Sequence, residues 1–231
     1  MKQNGCCICG AELVYDEKMS ERKCSVCGLL FESNACCLNG HFVCDNCHSA
    51  DGMNYIFKFC LHSDSVNPVA MAITIMKNPA IKMHGPEHHY LVPAVLISAY
   101  FNAIGTPENK EEKLKTALSR SRNIHGGFCG FYGNCGAAVG TGIFMSVILN
   151  STPISVHEWK LSNLIVADTL RNIALSGGPR CCKRNSYIAL QEAVTFVNKQ
   201  LKIKLGSSDI KCIFSDNNKE CLHENCRYYD I

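Results

Sequence analysis

The sequence has little net charge, no long apolar run and no internal repeat, and each absence removes a class of function. A net charge of +3 over 231 residues, with no block of Lys and Arg, leaves no strong nucleic-acid signal. The longest apolar runs, "LVPAVLISAYF" and "GIFMSVIL", fall short of the roughly 18–20 residues that span a bilayer, so no membrane association is expected. The opening residues, "MKQNGCCICGAELVYDEK", carry no apolar signal segment. No period of 20–50 residues is present, nor any low-complexity tract. A P-loop, a Rossmann fingerprint and a G-x-S-x-G elbow are all missing, so nucleotide hydrolysis and serine-hydrolase chemistry have no support.

What the sequence does have is cysteine, 17 of 231 residues, ten of them before residue 61. They come as CxxC and CC clusters rather than spread across loops. A secreted disulfide scaffold would usually be shorter and carry a signal peptide. The reading is therefore a cytoplasmic protein that uses its thiols for metal or redox chemistry. Residues 1–62 are rich in Gly, Asn and Asp and lack long apolar periodicity, so they form a cysteine-rich module with too little core to fold on its own. Residues 63–231 change to long helical patterns. The fold class expected is mainly α: a zinc-ribbon or treble-clef-like module followed by a bundle of about six helices.

Helix boundaries are well signalled. Asn67 caps a run that begins at Pro68. "PEHHYLVPAVLISAYFNAIG" starts at Pro86, is apolar all round and so reads as the central buried helix, with Pro93 inside it. A polar helix opens at Thr106-Pro107 and runs to Arg122; an apolar one covers 135–149. Ser155 and Glu158 have capping-box spacing for a helix to Leu175, and a sixth helix covers 179–201. A strand-like "IKCIFS" and a cysteine-bearing tail end the chain.

Cys6-x-x-Cys9-Gly and Cys24-x-x-Cys27-Gly are two knuckles that together supply four sulfurs for a tetrahedral zinc. Cys37, His41, Cys44 and Cys47 supply a second set, with Cys36 or His48 as substitutes. Spacing equally allows a crossed pairing in which Cys24 and Cys27 share a metal with Cys44 and Cys47. Two zinc ions with four protein ligands each would be closed, structural sites.

Four constellations mark the helical region. "MHGPEHHY" brings His84, Glu87, His88 and His89 to the start of the buried helix, a set able to ligate a metal or move protons. "NIHGGFCGFYGNCG" carries His125, Cys129 and Cys135, with Cys135 at a helix N-terminus where a thiolate is favoured. Gly136 and Gly140 follow on one helix face, where glycine serves close packing or the approach of a cofactor. "SGGPRCCKRNSY" places Cys181 and Cys182 in a first turn flanked by Arg180, Lys183 and Arg184, which should also lower thiol pKa. Cys212, Cys221 and Cys226, with His223, form a tail set able to clip the C-terminus with a metal, alone or with a cysteine of the body. Soft thiolates at two helix starts suit an iron–sulfur cluster, zinc, or a dithiol pair.

The combination "HGPEHHYLVPAVL", "GGFCGFYGNCGAAVGTGI" and "GGPRCCKRNS" resembles an uncharacterised domain family over most of the chain, and that family implies no reaction. "CGFYGNCGAAVGTGIFM" followed by "CC" also resembles the redox-active C-GCAxxG-C-C proteins, although this chain reads Cys-Gly-Ala-Ala-Val-Gly in place of Gly-Cys-Ala-x-x-Gly. That resemblance implies a helical protein with a redox metal centre and assigns function to Cys129, Cys135, Gly140, Cys181 and Cys182. "GHFVCDNCH" resembles the leader of some radical-SAM methylating enzymes, whose CxxxCxxC motif is missing here; the resemblance implies an accessory to a redox or radical-SAM-type partner. The leading expectation is a metal-binding redox protein with N-terminal zinc and an iron–sulfur or related centre on Cys129, Cys135, Cys181 and Cys182. One alternative is an adaptor whose zinc module docks a partner. Another is a zinc hydrolase or lyase built on His84 and His88.

Overall fold

The computed structural model describes residue 6 and residues 11–25 and 28–230, without the side chains of residues 49 and 50. Cys9 and Cys27 lie outside the described residues. The protein is mainly helical, with one small sheet near its start.

That sheet is an antiparallel hairpin of β1 (Leu13–Lys23) and β2 (Leu30–Cys37), in register from Leu13 opposite Cys37 to Lys23 opposite Leu30, with an irregularity between Tyr15 and Ser20. Most of β1 is solvent-exposed. An isolated bridge joins Cys24 to Phe42, and the chain then enters α1 (Asp45–His62) with Cys44 at its N-cap. The first turn of α1 carries Cys47, while Met53, Ile56 and Cys60 further along are buried in the helical core. One helix thus joins the cysteine-rich hairpin to the body.

The body is built round α3 (Glu87–Ala103), buried along nearly its whole length, as its continuous apolar sequence requires. It contacts α1, α2 (Pro68–Met76), α4 (Lys110–Ser121), α6 (Gly136–Ile148) and α8 (Cys182–Gln200). Helix α7 (His157–Leu175) packs on α6 and α8 from outside, and α5 (Phe128–Phe131) is a single turn ahead of α6. Leu91, Val92, Val95, Leu96 and Ile97 are wholly buried, each worth about 1.5–3 kcal/mol of burial.

Pro93 sits inside α3 and cannot donate to the carbonyl of His89, four residues back. The hydroxyl of Ser121 donates to that carbonyl instead, at 3.3 Å. Gly140 lies against the same spot: a Cβ there would stand 2.9 Å from Pro93 Cδ and 3.2 Å from the His89 oxygen. Gly140 therefore serves the α3–α6 packing and not the approach of a cofactor. Gly142 does the same for α7, with Val166 Cγ2 2.4 Å from where its Cβ would be.

Some helix starts follow the sequence signals and others do not. Asn67 Oδ1 accepts from the Ala70 amide at 3.0 Å, the cap its sequence predicts. The expected capping box does not form: α7 begins after Val156, and Ser155 Oγ instead accepts from the Thr152 amide at 3.0 Å. The polar helix is broken into a 3-10 turn, Pro107–Asn109, and α4. "IKCIFS" contributes only an isolated bridge, Cys212 to Tyr229, rather than a strand.

Candidate metal centres

Two ligand groups form within the N-terminal segment. The ligand atoms of Cys6, Cys37 and His41 lie within 4.8 Å of one another, and so do those of Cys24, Cys44 and Cys47. All three sulfurs of Cys6, Cys24 and Cys44 belong to buried residues. The hairpin explains the grouping. Pairing of β1 with β2 brings the start of one strand beside the end of the other, so Cys6 meets Cys37 and the turn residue His41. The bridge from Cys24 to Phe42 carries the chain past Cys24, so Cys44 and Cys47 land on the far side. Of the two pairings the spacing allows, the described residues adopt the crossed one. The ligands alternate along the chain between two sites.

The sulfurs already accept backbone amides. The Cys44 amide donates to Cys24 Sγ at 3.3 Å, and the His41 amide to Cys37 Sγ at 3.3 Å. His41 Nδ1 stands 3.6 Å from the same sulfur. Such N–H···S contacts favour the thiolate that a metal needs. Cys36 and His48 belong to neither group.

The helical body carries two further thiol gatherings. Cys129 on α5, Cys135 at the N-cap of α6 and Cys182 in the first turn of α8 lie close enough to influence one another's ionisation. The sequence expectation of stabilised thiolates does not hold for Cys135 and Cys182 as free thiols. Burial pushes the Cys135 thiol up, outweighing the nearby amides of Ala137 and Ala138 and the Asn185 side chain. Burial likewise pushes Cys182 up to about 12, despite the Gly85 amide and Arg180. Cys181, at the N-cap of α8, is also raised by burial although the Arg184 amide donates to its sulfur at 3.4 Å. Desolvation exceeds the helix-end and cation effects when the sulfur is this deep. Cys181 does not join Cys182. It faces the tail, where Cys212, Cys221 and Cys226 lie.

The histidine constellation divides in the same way. His88 is 1 % exposed, and both its nitrogens are used: Nε2 donates to the Lys82 carbonyl at 2.9 Å and Nδ1 accepts from Ser186 Oγ at 3.3 Å. Burial pushes its pKa down to about 3, so it is a neutral core residue. His84 bonds elsewhere, with Nε2 3.2 Å from Asn218 Oδ1 and 3.4 Å from Glu220 Oε2. The His84–His88 site of a zinc hydrolase is therefore not assembled among the described residues. Glu87 is fully buried. Its Oε1 accepts from the Lys82 amide at 2.8 Å, its Oε2 has no hydrogen-bond partner, and burial raises its pKa. His125 is exposed and meets Phe128 edge to face, with ring centroids 5.4 Å apart.

His89 differs from the others. Its Nδ1 donates to the Ile124 carbonyl at 3.1 Å, which fixes the tautomer and leaves Nε2 with the lone pair. The ring lies directly against Gly136, the residue after Cys135; a Cβ there would stand 2.2 Å from His89 Cδ2 and 2.5 Å from Nε2. Gly136 thus has a local reason that the sequence does not state. Asn185, whose Nδ2 donates to Cys135 Sγ at 3.5 Å, carries no sequence signal either. Nor does Asp45, whose carboxylate accepts the Gly126 amide at 2.8 Å and ties the cysteine-rich segment to the glycine-rich loop.

No helix among the described residues is long and apolar enough to cross a membrane. No curated protein and no solved structure matches the chain. One family model matches residues 56–229, a span that begins inside α1, takes in every cysteine from Cys60 onward and leaves out both N-terminal ligand groups. By that match the chain belongs to DUF5714, a family of unknown function.

Proposed function

We propose that the chain is a metal-centred redox protein. Two zinc ions brace its N-terminal segment, and an iron–sulfur centre sits in the helical body on Cys129, Cys135 and Cys182. The observation that carries this reading is the gathering of those three thiols from α5, α6 and α8, together with His89, which packs on Gly136 next to Cys135 and whose orientation matches that of a metal-ligating imidazole. Such a histidine commonly donates its other ring N–H to a backbone carbonyl, as His89 does to Ile124.

The donor set fits the group. Three soft sulfurs suit an iron–sulfur centre. Burial raises the pKa of Cys135 and Cys182 and makes both poor free nucleophiles, which weighs against thiol–disulfide exchange as their task. They do not form a group within 4.8 Å as the N-terminal ligands do, and a single tetrahedral zinc needs sulfurs about 3.8 Å apart, given its 2.3 Å bonds. When bound, such a centre supplies one-electron transfer. The protein's own part is to hold the thiols, orient His89 and keep the surroundings dry.

Zinc is the natural occupant of the crossed sites, whose Cys and His ligands are compact and whose surrounding hairpin buries little apolar area. Anaerobic purification followed by a redox titration of visible absorbance tests the redox reading. A reversible, sulfide-dependent absorbance is expected, and the part of it that belongs to this centre should be lost in Cys135→Ser and Cys182→Ser. A colourless protein with only zinc would sink it.

A further inference from the structure

Cys181 and Cys182 are joined by one peptide bond yet face different groups. Cys182 looks toward Cys129 and Cys135. Cys181 lines a small cavity with Cys212, Cys221 and Cys226, between the start of α8 and the C-terminal tail. Four thiols from well-separated chain positions on one cavity wall are more than packing requires.

Three observations say what the cavity takes. The first is the tail itself. From residue 202 to 230 it has no regular structure beyond two 3-10 turns and one isolated bridge, yet it sets Cys212, Phe214, Cys226 and Tyr228 against the core. A segment with so few backbone bonds is of the kind that metal ligation orders.

The second is charge. Lys183 and Arg184 are 3 % and 5 % exposed, and among the described residues no carboxylate lies within 4.0 Å of either. Lys183 Nζ donates to the carbonyls of Met76 and Ile81, at 3.1 and 3.2 Å, and sits 4.1 Å from the ring centroid of Phe214, itself a wall of the cavity. Arg184, another wall, donates to the carbonyls of Gly177 and Pro179 and to Asn185 Oδ1. Glu87 acts on Lys183 from beyond that distance, but burial favours the neutral form of its carboxyl; two buried cations hydrogen-bonded only to neutral groups are costly without a stronger anion nearby. A metal centre with four thiolates is a net anion.

The third is spacing. Among the described residues, three-ligand groups within 4.8 Å occur only in the N-terminal segment, so no three of these four sulfurs come that close. A single zinc would draw them to about 3.8 Å. A cluster sets its ligands farther apart, because several metal atoms lie between them.

We propose that Cys181, Cys212, Cys221 and Cys226 are the four ligands of an iron–sulfur cluster that pins the tail to the first turn of α8, with Lys183 and Arg184 offsetting its charge. Ligation releases the four thiol protons and leaves the cysteines otherwise unchanged. The site does not depend on the centre proposed at Cys182. With both filled, the Cys181–Cys182 peptide would join two centres.

The test uses the full chain, purified anaerobically and reconstituted with ferrous iron and sulfide, as wild type and as Cys221→Ser, Cys226→Ser and Cys135→Ser. Each tail variant should lose the iron and labile sulfide of one cluster, roughly two to four irons, and keep its zinc and the iron that depends on Cys135. Iron lost only in Cys135→Ser would overturn this site and leave the redox reading standing. Iron lost only in the tail variants would do the reverse. Zinc lost from the tail variants in place of iron would also overturn it. If the tail variants precipitate, Lys183→Met keeps all four ligands: the reduction potential of one centre should move to more negative values, and potentials equal to wild type would overturn the proposal.

Discussion

The N-terminal thiols and those of the helical body stand in opposite relations to the fold. In the first region the ligand atoms are already within 4.8 Å of one another, while the hairpin that carries them is largely exposed. A metal bound there would supply what a core would otherwise supply. In the second region the thiols rest on a finished core, with α3 buried along its length and α6 and α8 packed to it. There the fold can hold the sulfurs apart, at spacings a lone zinc ion would not choose. Ligation would make the structure in the first region and, at Cys129, Cys135 and Cys182, would be carried by it in the second.

The largest expected effect comes from breaking the first relation. Structural zinc supplies about 10–16 kcal/mol of apparent binding energy to small metal-folded units. Chelation, or Cys44→Ser, should strip amide-exchange protection from residues 11–44 and leave α3 and α8 protected. Protection lost from both regions together would show that they fold as one unit.

Breaking the second relation calls for a core substitution. Ile97 is wholly buried in α3, so Ile97→Ala should cost about 2–5 kcal/mol in denaturant unfolding of the helical body. Zinc content should not change.

Gly136→Ala sharpens the comparison at one atom. The added methyl would meet the His89 ring, at a cost of about 1–3 kcal/mol, and should lower iron content while zinc stays. A variant that loses stability but keeps its iron would make Gly136 a packing residue only. The smallest effect is expected at Asn67→Ala, remote from every thiol group. It removes the cap on Ala70 and the bond to Ser208 Oγ, worth about 1 kcal/mol in thermal unfolding.

The legible parts of the sequence were those with local causes. The buried helix α3 showed itself as an unbroken apolar run, and Asn67-Pro68 announced the start of α2 by its own chemistry. The first cysteine of each CxxC knuckle, Cys6 and Cys24, falls in a ligand group, but spacing left the pairing open, because pairing depends on a hairpin whose exposed strands carry little apolar alternation. Thiolate character at Cys135 and Cys182 was misjudged for a similar reason: helix-end and cation effects can be read locally, whereas desolvation depends on what packs above. The opposite orientations of Cys181 and Cys182 follow from their places as N-cap and first-turn residue of α8, a one-residue boundary that sequence signals do not fix. His88 and His89 are a second such pair, one used up inside the core and the other turned to Gly136.

The most direct test of two metal regions in one chain is elemental analysis of anaerobically purified protein beside its Cys44→Ser and Cys135→Ser variants. Two ligand groups predict two zinc ions per wild-type chain, together with iron and labile sulfide. Cys44→Ser should lose zinc and keep iron, and Cys135→Ser should lose the iron of its own centre and keep zinc. A wild-type protein that holds zinc alone, in amounts that Cys135→Ser does not alter, would contradict the account.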